Sequence, residues 1–195
     1  MKLTLTLLAL AGLPAFGQLQ GTKAPAKAAP ATVASASTTS GGAGSQKSRP
    51  ARSTIAGLEK AFDEGLATAD AKDPFDILGT TRGIYLDGYG TVFTTEVSLI
   101  VTPGISAFKP KFSDAEKAAI KQRKQAHLAV LKALMTEMLR VSANTLNTAP
   151  AGDKIVLSVR LQYYPWEDTT AMPTQIVMTA DRQSAMAGKV QTEEQ

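Results

Sequence analysis

Residues 83–101, GIYLDGYGTVFTTEVSLIV, are the stretch that decides the fold. Asp87-Gly88 is a strong two-residue turn pair, because glycine accepts the positive φ that a tight hairpin demands. Gly83-Ile84-Tyr85-Leu86 leads into the turn, and a long strand leaves it from about Tyr89 to Val101. Along that strand Phe93, Thr95, Val97, Leu99 and Val101 fall on one face, and Thr94, Glu96 and Ser98 on the other. Such alternation suits a sheet with one covered face. Pro103-Gly104 stops the strand.

Working outward, a second strand pair lies near the end of the chain. Ile155, Leu157, Val159, Leu161 and Tyr163 alternate with Lys154, Ser158, Arg160 and Gln162, and a loop from Tyr164 to Pro173 separates them from Ile176-Val177-Met178. Between the two pairs, residues from Asp114 to about Leu146 read as one long helix, opened by the capping box Ser113…Glu116. Its apolar stripe is Leu128, Leu131, Met135 and Met138, flanked by Leu134 and Leu139. Its first turns are instead basic, with Lys117, Lys121, Arg123 and Lys124. Ahead of the hairpin, Ile55, Leu58, Phe62 and Leu66 share one face of a short helix over 54–69, which Asp73-Pro74 ends. The expected architecture is α+β: an antiparallel sheet of about four strands, with the long helix and the short N-terminal helix packed on one face. The expected domain spans residues 53–184, with a flexible polar tail over 185–195.

The N-terminus has the three parts of a secretory signal: Lys2, an apolar run from Leu3 to Leu13, and Ala15-Phe16-Gly17 after Pro14. Residues 1–17 are therefore expected to be a cleavable signal, the run being short for a membrane span. An uncleaved anchor is the alternative. Residues 18–52 are rich in Ala, Ser, Thr, Gly, Pro and Lys, a composition that cannot bury enough surface to order itself, so they read as a disordered linker. Export to the periplasm or the extracellular space follows, with no transmembrane segment after cleavage.

The formal charge of +4 belongs to the leader and linker. Six of the 21 basic residues precede residue 53 and none of the 17 acidic ones does, which leaves the domain with 15 basic and 17 acidic residues. A nucleic-acid-binding domain would carry a basic face, so no nucleic-acid partner is expected. The absence of cysteine excludes disulfides, thiol catalysis and cysteine-ligated zinc.

No stretch carries a catalytic or metal-binding signature, and no cofactor is implied. His127, the sole histidine, lies mid-helix at the edge of the apolar stripe and lacks the H-x-x-x-H or H-E-x-x-H partner of a zinc site. Glu96 is a carboxylate in an otherwise neutral strand: ordinary if its face meets water, an acid or base if that face lines a cleft. The loop residues Tyr163, Tyr164, Trp166, Glu167 and Asp168 form the candidate binding surface, because aromatics anchor interfaces and loops on a rigid sheet often carry sites. Their alternative role is to close one end of the core. The basic helix start could bind anions, or be a solvated polar face.

The segments GIYLDGYGTVFTTEVSL (83–99) and WEDTTAMPTQIVM (166–178) resemble exported proteins of soil bacteria of the acidobacterial kind, over about residues 55–182. The resemblance implies a bacterial source, export and a shared domain, and brings with it no assigned activity and no catalytic residues. The functional expectation is an exported, non-catalytic interaction or structural domain associated with an envelope protein or polymer. One alternative is an envelope hydrolase using Glu96 with Asp168 or His127. Another is a periplasmic small-ligand carrier, which would need a sizeable apolar pocket between sheet and long helix.

Overall fold

The computed structural model describes residues 49–106 and 111–195, so the expected signal (1–17) and nearly all of the expected linker (18–52) lie outside the described residues. Helix α1 (Arg52–Thr68) forms where the apolar spacing places it and buries Ile55, Leu58, Phe62 and Leu66. Helix α2 (Asp114–Thr145) starts at Ser113, whose side chain accepts from the Glu116 backbone N–H while the Glu116 carboxylate accepts from the Ser113 N–H. Its inward stripe holds Leu131, Met135, Met138 and Leu139 and continues N-terminally through His127, Lys124 and Ile120, all buried. The strands are β1 (Asp76–Leu86), β2 (Gly90–Ser98), β3 (Lys154–Leu161), β4 (Gln175–Asp181) and β5 (Gln191–Glu194), with a short helix α3 (Arg182–Met186) before the last.

The fold is α+β, as expected, but the sheet has five strands in the order β1-β2-β3-β4-β5 and is mixed. Strands β2 and β3 run parallel, with Gly90 opposite Lys154 and Val97 opposite Leu161; the other three pairings are antiparallel. The physical reason lies in the connection. The 32 residues of α2 rise about 48 Å, enough to carry the chain back along the sheet to the end where β2 began. A strand entered from that end must run in the same direction as β2.

Three further details differ from the sequence reading. Strand β1 begins at Asp76, well before Gly83; its register slips between Ile77 and Gly79 and again before Arg82, which erases the alternation that would have marked it. The hairpin closes over Asp87, Gly88 and Tyr89, with the Tyr89 N–H on the Leu86 carbonyl, so the turn is one residue longer than Asp87-Gly88 alone. Strand β2 ends at Ser98, and Leu99 and Ile100 are buried in the bend that follows. Gly90 is required here: its φ is 137°, and a Cβ on it would stand 1.9 Å from the Lys154 carbonyl oxygen.

The segment from residue 185, expected to be a flexible tail, is built into the fold. The Arg182 guanidinium donates to the carbonyls of Ala143 (3.1 Å) and Asn147 (3.2 Å), supplying at the end of α2 the cation its own last turn lacks. Asp181 caps α3 through the Ser184 N–H, and β5 then pairs with β4.

The β1 edge is closed in its middle by α1. The Asp63 carboxylate accepts from the Thr81 N–H (2.9 Å), and the Glu59 carboxylate one turn earlier accepts from the Gly83 N–H (2.6 Å). Arg52 holds Glu59 through both terminal guanidinium nitrogens, each at 2.9 Å. An edge strand with free N–H groups invites another chain to pair, and carboxylates seated on them remove the invitation. Burial raises the Glu59 pKa, but the hydrogen bonds from Arg52 and Gly83 outweigh it and hold the carboxyl below its ordinary value.

Candidate functional site

The segment after β3 lies against the N-terminal half of α2, and ion pairs join them. Lys124 meets Glu167 at 2.6 Å with the two side chains 2% and 5% exposed; Lys121 meets Asp168 at 2.6 Å, where Asp168 is 55% exposed. The hydrogen bond from Lys121, aided by those from Thr170, holds the Asp168 carboxyl well below the usual carboxylate range. Arg123 binds Asp73 through two nitrogens, and Lys117 lies 3.5 Å from Asp114. The basic helix start thus finds its anions within the chain.

These contacts fix the loop aromatics. Tyr163 donates to the Pro173 carbonyl, has the Lys124 ammonium 4.9 Å from its ring centre, and is pushed up to about 12 by burial and by the Glu167 charge. Trp166 stacks on Phe112 at 4.3 Å between centroids, and Tyr164 stacks on Trp166 at 5.8 Å and 9°. Of the five residues expected to form a binding surface, Glu167 is buried in its ion pair and Tyr163 and Trp166 are half-buried, whereas Tyr164 and Asp168 are exposed. The loop therefore closes the core at this end and presents Tyr164 outward.

The helices cover one face of the sheet. The other face carries Val92, Thr94 and Glu96 of β2 beside Ser158 and Arg160 of β3, in register, and among the described residues no element covers it. Leu78 and Ile84 of β1 are 51% and 58% exposed. At the carboxyl ends of β2 and β3 this face sinks into a groove of about 410 Å³, lined by Asp76, Leu78, Glu96, Ser98, Gln162 and the two tyrosines 163 and 164. A second depression of about 370 Å³ shares Glu96 and extends toward Arg82, Arg160 and Gln175. Glu96 is half-buried between the two; the Gln162 amide donates to it, and its cross-strand neighbour Arg160 lies 4.0 Å away.

The three residues named for catalysis are not brought together. Glu96 lies on the open face. His127 is on α2, across the sheet, buried edge-on to Phe75, with Nε2 3.3 Å from Asp73 and 3.8 Å from Asp70. Its Nδ1 is buried with no hydrogen-bond partner among the described residues. Asp168 is engaged with Lys121 and with the Thr170 N–H. Among the described residues no group of three or more His, Asp or Glu side chains could hold a metal ion, and no helix is long and apolar enough to cross a membrane. The space between sheet and α2 beside Phe93, Met138 and Leu157 is about 10 Å³, room for a single water and not for a carried ligand.

The sequence reading did not single out Asp76, Leu78 or Gln162, because nothing local marks a groove assembled from β1, β2 and the end of β3. Glu59 and Asp63 do carry a local signal, as carboxylates beside the apolar stripe of α1. No protein-family model, curated protein or solved structure matches the chain.

Proposed function

We propose that this chain is an exported, non-catalytic interaction or structural domain of the cell envelope that meets its partner with the open face of its sheet, Tyr164 included. The observation that carries this reading is the division of labour among polar side chains. Glu167, Asp168 and Asp73 each hold a cation of α2, and Glu59 and Asp63 seal the β1 edge. The grooved face from Leu78 to Arg160 is less committed: Glu96 takes the Gln162 amide and lies 4.0 Å from an exposed Arg160, and Leu78 and Ile84 stay open to water. The secretory character of residues 1–17 and the low-complexity linker support an envelope location.

The reading predicts where contacts fall. A photo-crosslinking residue at Ile84 or Tyr164 in the living host should capture one reproducible partner, while the same residue at Lys60 or Glu64 on the outer side of α1 should capture none. Equal capture from both faces, or none from either, would overturn it.

A further inference from the structure

We infer that the groove at the carboxyl ends of β2 and β3 binds a glycan strand, with a sugar ring on Tyr164 and its hydroxyls on Asp76, Glu96, Ser98 and Gln162. This rests on the interaction-domain reading and names the chemistry of the partner.

Four features point to that ligand. First, the groove of about 410 Å³ has the size of a small-ligand site. Second, its polar lining consists of the carboxylates of Asp76 and Glu96, the Ser98 hydroxyl, which donates to the Ile100 carbonyl and can still accept, and the Gln162 amide, which gives one N–H to Glu96 and keeps the other and its oxygen. A polyol offers donors and acceptors in the same mixture. None of the described residues that line it is Lys or Arg, so an anionic ligand has no counter-charge there. Third, Tyr164 is a prebuilt platform. It is 43% exposed, yet Trp166 stacks on it and Phe112 stacks on Trp166. A ring already held in place loses little entropy on binding, and the C–H face of a pyranose can cover it. Leu78 adds an exposed apolar wall. Fourth, a second depression, lined by Thr94, Ser158, Arg82 and Arg160, adjoins the groove at Glu96, which suits a strand better than a single sugar. A peptide adding as a further strand beside this groove would take the β1 edge, where Glu59 and Asp63 already occupy the N–H groups in its middle; the other edge, β5, lies at the far side of the sheet.

The test uses a reporter built into the site. Trp166 is the sole tryptophan and stacks directly on Tyr164, so occupancy of the groove should change its emission. The purified chain is titrated with chitotetraose and, separately, sedimented with isolated peptidoglycan sacculi. The expected result is saturable binding to at least one probe, weakened about tenfold or more by Tyr164→Ala and severalfold by Asp76→Asn, and retained by Tyr164→Phe. Should Tyr164→Ala lose its far-UV dichroism, Asp76→Asn and Gln162→Ala decide in its place. Binding to neither probe, or binding that these variants leave unchanged, overturns the inference. A protein captured from Ile84 or Tyr164 in the crosslinking experiment, with no glycan binding, would overturn the glycan inference alone and leave the interaction-domain reading standing. No partner of either kind would overturn both.

Discussion

Removing Glu167 isolates what its ion pair contributes. Lys124 is 2% exposed; its ammonium has the Glu167 carboxylate at 2.6 Å and the Tyr163 ring at 4.9 Å. In Glu167→Ala the charge stays buried with only the ring for company, and the Tyr164 N–H loses its carboxylate acceptor as well. Stranding one member of a buried pair costs about 3–5 kcal/mol, a large share of the ~5–15 kcal/mol that holds a domain together. For a domain near 140 residues that is a fall of about 10–20 °C in the thermal midpoint. The double variant Lys124→Met/Glu167→Gln removes both charges and keeps an acceptor for Tyr164, so most of the loss should return. Asp168→Ala is the control: its ion pair with Lys121 has the same 2.6 Å length but is open to water, and its midpoint should stay close to the parent's. Thermal and urea unfolding, followed by circular dichroism and by Trp166 emission, read all of these. A Glu167→Ala loss below about 1 kcal/mol, or an Asp168→Ala loss as large as that of Glu167→Ala, would refute the claim that burial rather than distance sets the value of these pairs.

Asp63→Ala frees the Thr81 N–H and hydroxyl, and should cost about 1–3 kcal/mol in urea unfolding, with Asp63→Asn, which keeps an acceptor, costing less. The opened β1 edge should also give concentration-dependent self-association by sedimentation velocity. Gly90→Ala should fail to reach the native fold, read as loss of near-UV dichroism, because its Cβ would overlap the Lys154 carbonyl; Gly88→Ala, with nothing within 4 Å, should lose less and still fold. Stability should also depend on Glu59 in acid. Its carboxyl is held below the ordinary value in the folded state, so the unfolded chain takes up the proton first as pH falls. The contribution is full above about pH 4.3 and disappears as pH drops through the folded value, so Glu59→Gln should flatten the fall in stability below that point.

The parts legible in the sequence are those governed by near neighbours along the chain. The period-two pattern of 93–101 and 154–161, the capping box at Ser113, and the helical spacing of Ile55, Leu58, Phe62 and Leu66 depend on residues a few positions apart, and each element is found close to where that spacing places it, although β2 ends at Ser98 and not at Val101. The tertiary structure alone decided how those elements meet. Parallel pairing of β2 with β3 depends on the path of a 32-residue helix, and β5 forms because β4 offers it an edge. The same holds for the candidate site. Glu96 could be read as a carboxylate on one face of a strand, but its neighbours Gln162 and Arg160 come from 66 and 64 positions away. Tyr164 could be read as a loop aromatic, but only the stack on Trp166 and Phe112 turns it outward as a platform. Secondary structure follows from local sterics and hydrophobic period, whereas a groove exists only where distant segments are brought side by side. The sequence determined the elements with a clear local period and the face each of those strands presents; packing decided β5, the start of β1, and which faces would be left open.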